Sequence, residues 1–420
     1  MTYDKTLFNE STVNVLVSRL ASTRAERESL YKHFHQHPEL SMQEVETSAR
    51  IAAELDARQI PYSRVGKTGI VAVIQNGIGP VVALRGDIDA LPMKETSGKD
   101  YASQATQLDE ATGAEVPTAH ACGHDFHTVC LLGALDAFHT QRDQWSGTLV
   151  GVFQPGEETA SGAKDMVAHD IASAMPVPDV YLGQHVLGTL PGGAVGTRVG
   201  PVLSSAFSVK VGLTGKGSHG SMPELGVDPV VVAASIIVRL QTIVAREVAA
   251  SETAVVTVGA IHAGTKSNII PDSAELLINT RAYSSATSSH LKEAIERIVR
   301  AECVAARCPV EPTFTYYDEY PLTNNDAQAT ERVRGAFDSY FGDASMDLAP
   351  VPASEDFSII PDALGAPYSY WGVGGFANPE TAPGNHNPAF APDLQPTLDR
   401  GSEALIVAAC AWLSSGEGAE

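Results

Sequence analysis

Hydrophobic and polar residues alternate along this chain with two different periods. Over residues 13–34, and again over residues 43–58, apolar residues recur every three or four positions among Arg and Glu, which predicts two helices. Three β-rich apolar runs follow, each bounded by Gly or Asn: GIVAVIQN, PVVALRGD and GTLVGVFQ. Strands that alternate with helical stretches indicate an α/β fold with a mixed, mostly parallel sheet and helices on both of its faces.

The stretch over residues 202–320 has a different order of elements. It reads as strand, helix, strand, strand, helix, strand, the βαββαβ order of an α+β ferredoxin-like domain. After this stretch the alternation of helices and strands returns. We therefore predict a discontinuous outer domain, residues 1–201 and 321–420, with an inserted domain over residues 202–320. The glycine-rich segment LPGGAVGTRVGPV, just before the insertion, is expected to be a hinge.

Composition narrows the class of protein. A chain of 420 residues exceeds the size at which one core usually stops growing, and its 44% hydrophobic and 19% charged residues are those of a folded protein. Its net charge of -22 repels phosphate backbones and anionic membrane surfaces, so we expect neither nucleic acid nor a membrane as partner. The first residues, MTYDKTLFNE, lack the features of a secretory signal, and no window approaches a membrane span, so we expect a cytoplasmic location.

The densest group of reactive side chains is HACGHDFHT, at the start of a predicted helix. Cys122 and His124 lie two positions apart, and thiolate and imidazole are good ligands for zinc and similar ions. A His-rich helix start with a buried cysteine explains the same residues equally well. The other four cysteines lie in apolar or helical settings and are expected to be packed, reduced thiols: Cys130, Cys303, Cys308 and Cys410.

Further donors follow other predicted strands. Glu157 and Glu158 come after a strand and a Pro-Gly turn, where one carboxylate can bind a metal while its neighbour takes a proton from water. His185 ends a short β-rich run, and His386 lies in a turn-rich segment. Alone, an acidic pair usually marks a solvated loop and a single His a structural residue. Together with Cys122 and His124, however, these residues all fall in the outer domain and would suit two ions.

Several motifs, in this order, resemble the M20 family of metallopeptidases and amidohydrolases. They are RGDIDALP, HACGHD, QPGEE, GQHV, GKGSHGSMP, NIIPD, SEDFS and GNHNPAF, and they cover nearly the whole chain. The similarity is to the branch of hippurate hydrolases, aminoacylases and auxin-conjugate amidohydrolases. Within that branch, FHQHPELSMQE and DPVVVAASIIVRLQTIVARE are most similar to bacterial N-acyl-glutamine aminoacylases.

The resemblance assigns roles to the residues of the outer, catalytic domain. It implies that Glu157 is the general base and that two divalent ions are bound, most simply zinc, with manganese or cobalt as alternatives. It implies five metal ligands: Cys122, His124, Glu158, His185 and His386. Asp87 and Asp89 replace a His-x-Asp of other branches, so we expect them to hold the ligands by hydrogen bonds. A strand-end turn that needs Asp is the alternative.

The inserted domain resembles the lid and dimerisation domain of the family. His219 matches a lid histidine that stabilises the oxyanion, often in the partner's active site, although the glycines around it also fit an ordinary hairpin tip. Asn268 and Arg281 match residues that hold the substrate carboxylate, and an exposed strand arginine is the alternative for Arg281. HQHPE is typical of the family too, but we assign it no catalytic role. A homodimer through this domain is expected.

These expectations lead to one function and several alternatives. The chain is expected to be a dinuclear metal-dependent aminoacylase or amidohydrolase that cleaves N-acyl amino acids to a carboxylic acid and an amino acid. Metal-activated water would be the nucleophile, with Glu157 as its base. A dipeptidase or carboxypeptidase of the same family is the nearest alternative. A cysteine hydrolase using Cys122, and a non-catalytic metal-stabilised binding protein, are more distant ones.

Overall fold

A computed structural model describes residues 9–413 of the chain. Most of the N-terminal segment from which we predict no secretory signal lies outside these residues. The helices are α1 Glu10–Gln36, α2 Val45–Ala57, α3 His124–Thr140, α4 Gly162–Ala168, α5 Ile171–Ala174, α6 Pro229–Arg246, α7 Ser285–Ala305, α8 Ala327–Phe341, α9 Ile359–Leu364 and α10 Leu394–Leu413.

The strands form one large sheet, one smaller sheet and three short two-stranded pairs. They are β1 Tyr62–Val65, β2 Gly69–Asn76, β3 Val81–Asp87, β4 Thr106–Asp109, β5 Ala114–Pro117, β6 Gly147–Gln154, β7 Val180–Pro191, β8 Val195–Thr197, β9 Gly200–Leu203, β10 Ser205–Thr214, β11 Ser218–His219, β12 Ala254–Ala263, β13 Ile269–Ile270, β14 Ser273–Ala282, β15 Thr313–Tyr320, β16 Thr323–Asn325, β17 Ser345–Asp347 and β18 Tyr368–Phe376.

The described chain forms two compact units. The larger contains the residues up to Val202, Asn324–Pro350 and the residues from Asp356 onward. The smaller contains Leu203–Thr323 together with Val351–Glu355, a short segment that the predicted boundaries place in the outer domain. The glycine-rich segment that we expect to be a hinge contains β8, a buried strand of the large sheet.

The large sheet has the order β1-β2-β6-β3-β7-β18-β8-β17. Strands β6, β3, β7 and β18 are mutually parallel. At one side β2 is antiparallel to β6 and β1 is antiparallel to β2, and at the other side β8 is antiparallel to β18. Strands β3, β6 and β18 are buried almost throughout, so both faces of the central sheet are covered. The prediction of a mixed, mostly parallel sheet is confirmed.

Helices α1, α3 and α10 pack against one another over the large sheet. Asn9 begins α1, because its side chain accepts hydrogen bonds from the backbone N–H groups of Ser11 and Thr12. Helix α3 is buried over nearly its whole length, and its middle, from Val129 to Leu135, is apolar. Its first residue, His124, therefore enters the molecule beside the central strands.

The smaller unit has a four-stranded antiparallel sheet of order β12-β14-β10-β15, with α6 and α7 packed on it. This order and the sequence of its elements confirm the predicted ferredoxin-like pattern. Val209 and Val211 of β10 pack with Ile236 and Leu240 of α6 in its core. The short pair of β11 and β13 is added to the pattern.

Helix α6 is the one helix among residues 9–413 whose length and apolar composition would allow it to cross a membrane. We expected no segment to pass such a test. Its buried residues, among them Val232, Ile236 and Leu240, pack on β10, β12 and β14 of the smaller unit. This packing accounts for the apolar residues on one side of the helix.

Candidate metal centre

Parallel strands bring the acidic residues of the larger unit to one edge of the sheet. Asp87, the last residue of β3, lies opposite Gln154, the last residue of β6. The chain then turns through Gly156 into a short 3₁₀ helix, Glu157–Thr159. Gly156 has a φ of 56°, and a Cβ there would lie 2.5 Å from Met42 Sδ, so only glycine fits the turn. Asp87 and the Glu157–Glu158 pair thus meet at the carboxyl ends of the strands, as predicted.

A second turn presents Cys122 and His124. Gly123 between them has a φ of 88° and caps the start of α3, and a Cβ on it would lie 2.2 Å from Val186 Cγ1. The left-handed glycine lets the chain reverse between the two donors. As a result the Cys122 thiol and the His124 imidazole approach the same point, although they flank the start of a helix.

The structure brings all five predicted ligands together with Glu157. Their donor atoms form overlapping sets of three in which all atoms lie within 4.8 Å of one another: Cys122, His124 and His185; Cys122, Glu158 and His386; His124, Glu157 and Glu158. Cys122, His124 and Glu158 each belong to two of these sets, so the sets form one continuous cluster of donors.

The separations between the donor atoms are those of ligands on one ion. Cys122 Sγ lies 3.3 Å from His185 Nε2, and Glu158 Oε2 lies 3.1 Å from His386 Nε2. Two atoms bound at tetrahedral positions to one zinc ion are roughly 3.3 to 3.7 Å apart, given ordinary Zn–N and Zn–S distances. Little rearrangement would therefore be needed to bind a cation.

Two buried atoms at the centre lack the partner that a cation would supply. Among residues 9–413, His124 Nε2 and Glu158 Oε1 are buried and have no hydrogen-bond partner. His124 donates from Nδ1 to the Asp89 carbonyl oxygen at 3.0 Å, and His185 donates from Nδ1 to the Val186 carbonyl oxygen at 2.8 Å. Both imidazoles therefore direct Nε2 into the centre, which fits bound divalent metal ions.

Asp89 holds two sides of the centre. Its Oδ1 lies 3.1 Å from His124 Nδ1, and its Oδ2 accepts hydrogen bonds from Ser41 Oγ at 2.6 Å and from the backbone N–H of Glu158 at 3.0 Å. Burial alone would raise the pKa of Asp89, but the hydrogen bond and charge of His124, together with the hydrogen bonds from Ser41 and the Glu158 N–H, lower it. Asp89 therefore stays ionised and makes the contacts expected of a residue that orients ligands.

Asp87 is connected to the strand of His185 through His127, a histidine to which sequence reasoning gave no role. His127 Nδ1 donates to Asp87 Oδ1 at 2.5 Å, and its Nε2 accepts the backbone N–H of Val186 at 2.9 Å. Both ring nitrogens are thus in use, so His127 braces the strand beside His185 and has no lone pair for a metal. The dense histidine pattern of HACGHDFHT indicated a functional site, but the sequence alone could not distinguish a metal ligand from a histidine that supports the backbone.

A buried arginine lies behind Asp87. Arg85 donates from Nη1 to Asp87 Oδ2 at 2.5 Å and from Nη2 to Asp356 Oδ1 at 3.3 Å, and its Nε reaches Gln154 Oε1 at 3.0 Å. Burial would raise the pKa of Asp87, but Arg85 and the neighbouring histidines lower it well below its usual range. The arginine therefore keeps one negative charge fixed behind the centre. A charged residue inside the apolar run PVVALRGD was the available signal.

The charges around the centre favour a cation. Burial alone would lower the pKa of His124, but Asp87 and Cys122 raise it well above its ordinary value. Hydrogen bonds to Cys122 and Glu158 raise the pKa of His386 to about 10. Groups that stabilise a proton on these imidazoles would equally stabilise a metal ion in its place.

Asn385, next to His386, was also missed. Its Nδ2 donates to the Cys122 carbonyl oxygen at 3.3 Å and to the Val186 carbonyl oxygen at 3.2 Å. His386 itself adopts a left-handed backbone with a φ of 66°, and its N–H donates to the Ala121 carbonyl oxygen. Asn385 therefore ties the Cys122 loop to the strand of His185, and no pattern in one sequence distinguishes it from an ordinary turn asparagine.

The remaining predicted residues lie in the smaller unit. His219 is exposed on β11 and pairs with Ile269 of β13, so that Asn268 lies beside it and accepts the N–H of Gly220 at 2.8 Å. Arg281 lies on β14 and donates to Ser354 Oγ at 2.5 Å. The structure thus brings His219 and Asn268 together where β11 pairs with β13, and it anchors Arg281 on the sheet.

HQHPE contributes a buried histidine outside the centre. His35 Nδ1 lies 2.6 Å from Asp125 Oδ2, and its Nε2 lies 3.0 Å from Glu95 Oε1. Asp125 follows His124 on α3, so His35 supports the start of that helix from the side of α1.

All five cysteines are free. Three of the four that we expected to be packed are buried and Cys308 is half-buried: Cys130, Cys303 and Cys410.

Comparisons with known proteins show which family this chain is similar to. The sequence model described as peptidase family M20/M25/M40 matches residues 83–408. An N-acetylcysteine deacetylase of Bacillus subtilis (strain 168) is 32% identical over 383 residues, 90% of this chain and 93% of that protein. An IAA-amino acid hydrolase of Arabidopsis thaliana is 34% identical over 365 residues, 86% of this chain and 79% of that protein.

A solved structure is similar over almost the whole fold. It is that of a Bacillus subtilis protein described as a dinuclear metal binding peptidase from the M20 family. The match has a TM-score of 0.76 and 28% sequence identity, and it covers 93% of this chain and 98% of that one.

Proposed function

This chain belongs to peptidase family M20/M25/M40, and we propose that it is a metal-dependent amidohydrolase that cleaves the amide bond of N-acyl amino acids. One observation carries the proposal. Nitrogen, sulfur and oxygen donors surround the buried Glu157, and two of them, His124 Nε2 and Glu158 Oε1, lack a hydrogen-bond partner within the described residues. A site built only for structure would have no need of an acid beside such a donor set.

The metal ligands in this proposal are the five residues whose donor atoms cluster around Glu157: Cys122, His124, Glu158, His185 and His386. When bound, two divalent ions would lower the pKa of water and polarise the amide carbonyl. Zinc suits a set that combines a thiolate with imidazoles, and manganese or cobalt are the alternatives because carboxylate is also present. Asp89 and Asp87 keep the ligands in place through His124 and His127.

Glu157 is the general base of the proposal. It is 5% exposed, and its carboxylate lies in one set with His124 and Glu158. There it would accept a proton from the attacking water and then deliver it to the leaving nitrogen as the C–N bond breaks. The products are a carboxylic acid and a free amino acid.

The smaller unit would supply further contacts to the substrate. We assign His219 the role of hydrogen-bond donor to the oxyanion, which is supported by its exposure on the short strand β11 with glycine on both sides. Asn268 lies next to it and, with Arg281, would bind the carboxylate of the amino acid.

We also propose a cytoplasmic homodimer formed through the smaller unit. β12 is an edge strand of its sheet, and Val255 and Ile261 on that strand are exposed. Helix α6, which packs against β12, exposes Val231 and Val238. An unpaired edge next to an apolar helix surface is suited to pairing with a second copy.

Two variants of the adjacent acids test the assignment. Glu157→Gln should keep its metal and lower kcat by several orders of magnitude, because the proton acceptor is lost and no ligand is removed. Glu158→Gln should instead lose metal, since a ligand is removed. Metal analysis and steady-state kinetics on N-acyl amino acids measure both. The reverse pattern would exchange the two roles.

The same preparations separate the other functions. Wild-type protein should hold close to two ions per chain, and chelation should abolish activity. Activity that survives chelation and ends on thiol alkylation would instead indicate a cysteine hydrolase acting through Cys122. Metal binding without hydrolysis of any acyl-amino acid would indicate a binding protein.

A dipeptidase or carboxypeptidase is the second candidate function. It is favoured by the family description, which names peptidases, and by the solved relative described as a peptidase. A panel of substrates that varies first the amino acid, beginning with glutamine, and then the acyl group distinguishes the two. Preference for a simple acyl group over an N-terminal amino acid supports the amidohydrolase.

A further inference from the structure

The turn between α1 and α2 touches the candidate centre at two points. This turn, Leu40–Glu44, contains the second half of the motif HPELSMQE, to which the proposed function gives no role. We propose that Glu44 and Ser41 are positioning residues that fix the backbone on both sides of Glu157. The inference rests on the proposed function, in which Glu157 is the base and Glu158 a metal ligand.

Glu44 is a fully buried carboxylate, and both of its oxygens accept hydrogen bonds. Its Oε1 accepts the backbone N–H of Gly156 at 2.8 Å and that of Met42 at 2.8 Å, and its Oε2 accepts Thr68 Oγ1 at 2.7 Å. Glu44 is 0% exposed. A carboxylate in such a place is costly unless its hydrogen bonds are made, so the contact with Gly156 is strongly enforced.

Ser41 reaches the other side of the same residue pair. Its hydroxyl donates to Asp89 Oδ2 at 2.6 Å, and this same oxygen accepts the backbone N–H of Glu158 at 3.0 Å. The N–H groups before and after Glu157 are thus each held by a carboxylate. One of these carboxylates, Glu44, belongs to the turn, and the other, Asp89, accepts a hydrogen bond from Ser41 of the turn.

The local packing leaves little freedom between these two anchors. The Met42 side chain occupies the space next to Gly156, where a Cβ would lie 2.5 Å from its sulfur. The Gly156 carbonyl oxygen accepts the N–H groups of Ser161 and Gly162, both at 3.1 Å. The loop that carries Glu157 is therefore closed on itself and fastened to the turn.

The turn is itself held from its outer side. The N–H of Leu40 donates to Gln107 Oε1 at 2.7 Å, and Gln43 Nε2 donates to the Leu108 carbonyl oxygen at 2.8 Å. Gln107 and Leu108 belong to the hairpin of β4 and β5. A turn fixed on both sides can hold a base to the small fraction of an ångström that proton transfer requires.

The test compares four variants of cobalt-loaded protein. Glu44→Ala removes both acceptors, Glu44→Gln keeps one oxygen for Gly156, and Ser41→Ala removes the donor to Asp89. Asp136→Ala is the matched control, because Asp136 is a buried carboxylate of the same unit that bonds Arg19 at 2.8 Å on the far part of α3. We would measure kcat, KM, Tm, the visible absorption spectrum of bound cobalt, and cobalt affinity by competition with a chelator.

We expect Glu44→Ala to lower kcat about 10- to 100-fold with KM changed less than about threefold, to shift the cobalt spectrum and to weaken cobalt binding about tenfold. Glu44→Gln should retain most of the wild-type kcat, and Ser41→Ala should have a severalfold lower kcat. Asp136→Ala should have a lower Tm but the wild-type kcat and cobalt spectrum.

The inference fails if Glu44→Ala keeps the wild-type kcat and spectrum, or if Asp136→Ala with an equal loss of Tm lowers kcat as much. It also fails if Glu44→Gln is as impaired as Glu44→Ala, because a hydrogen-bond acceptor would then not be what matters. Should Glu44→Ala not fold, Glu44→Gln and the half-exposed Ser41→Ala decide. Wild-type protein that hydrolyses no acyl-amino acid would refute the proposed function alone, since cobalt affinity and spectrum still report on positioning.

Discussion

Gly123 shows how one residue without a side chain makes the candidate centre possible. It separates two donors, has a φ of 88°, and leaves no room for a Cβ beside Val186. Val186 cannot easily yield, because its N–H is held by His127 and its carbonyl oxygen by Asn385. The position therefore combines a backbone requirement with a packing requirement.

Gly123→Ala should lower the free energy of unfolding by about 2 to 4 kcal/mol and reduce metal content, since both a left-handed backbone and a clash must be accommodated. Urea unfolding and metal analysis measure these effects. Gly98→Ala is the matched control, because Gly98 has a φ of 75° and no atom lies within 4 Å of the place that its methyl group would take. That variant should lose about 1 kcal/mol and keep its metal. Equal losses in both would mean that packing against Val186 is unimportant.

His35 makes stability depend on pH in the alkaline range. Burial alone would lower its pKa, but hydrogen bonds to Asp125 and Glu95 raise the pKa to about 9. The ordinary value near 6.5 holds in the unfolded chain. Because the folded pKa is the higher one, the stabilisation is complete below about pH 6.5 and disappears as pH rises through about 9.

The unfolding free energy of wild type should therefore exceed that of His35→Gln by roughly 3 kcal/mol more at pH 6 than at pH 10. Urea titrations of both proteins at the two pH values give this difference. His37→Gln, at an exposed site of the same segment, should show no such change. A difference between wild type and His35→Gln that does not vary with pH would show that His35 is neutral when folded.

At the scale of elements, strands with strong apolar runs were predictable and strands with weak ones were not. Strands β2, β3 and β6 coincide with GIVAVIQN, PVVALRGD and GTLVGVFQ almost residue for residue. Strand β7 extends well past the short run predicted around His185, because it pairs with β18 along most of its length. The hairpin of β4 and β5 is mostly exposed, so it has no apolar alternation to reveal it.

The candidate centre divides in the same way. Its donors are recognisable because reactive residue types cluster after strands, where chemistry is common in parallel sheets. The roles of Arg85, His127 and Glu44 are not predictable, although the first two stand in noticeable motifs, since their importance lies in what they touch across the fold. Long-range hydrogen bonds leave no periodic pattern in the chain.

Helix α6 and strand β12 carry the prediction about assembly. Val238 on α6 is 72% exposed, and a charge there would be buried if two copies met through this surface. Val238→Glu should convert the dimer to a monomer in sedimentation velocity, with the circular dichroism spectrum unchanged. Val310→Glu, at an exposed loop site of the same unit, is the control and should stay dimeric. Dissociation of both variants would point to a general charge effect.

At the scale of the whole molecule, the proposed roles of Glu157 and His219 allow two chains to share one active site. Glu157 lies in the larger unit and His219 in the smaller. If His219 serves the partner subunit, Glu157→Gln and His219→Ala should each be inactive while still binding metal. Mixing them under conditions of subunit exchange should create one site with both residues intact, and restore up to half of the wild-type activity per heterodimer.

Recovery of activity on mixing would establish a shared site. Exchange demonstrated by mass spectrometry, with no recovery, would mean that His219 acts within its own chain or only supports its hairpin. A mixture of each variant with itself is the baseline.

The discontinuous larger unit has a consequence for synthesis on the ribosome. Strand β18 lies between β7 and β8 in the sheet, yet it is made roughly 180 residues after β7. At elongation rates of about 5 to 20 residues per second, the edge of β7 waits on the order of 10 to 40 seconds for its neighbour. The smaller unit emerges complete within that interval, whereas the donor set lacks His386 until almost the whole chain has been translated. In the proposed function, metal binding by all five ligands would therefore come at the last stage of synthesis, when β18 is already available to complete the sheet.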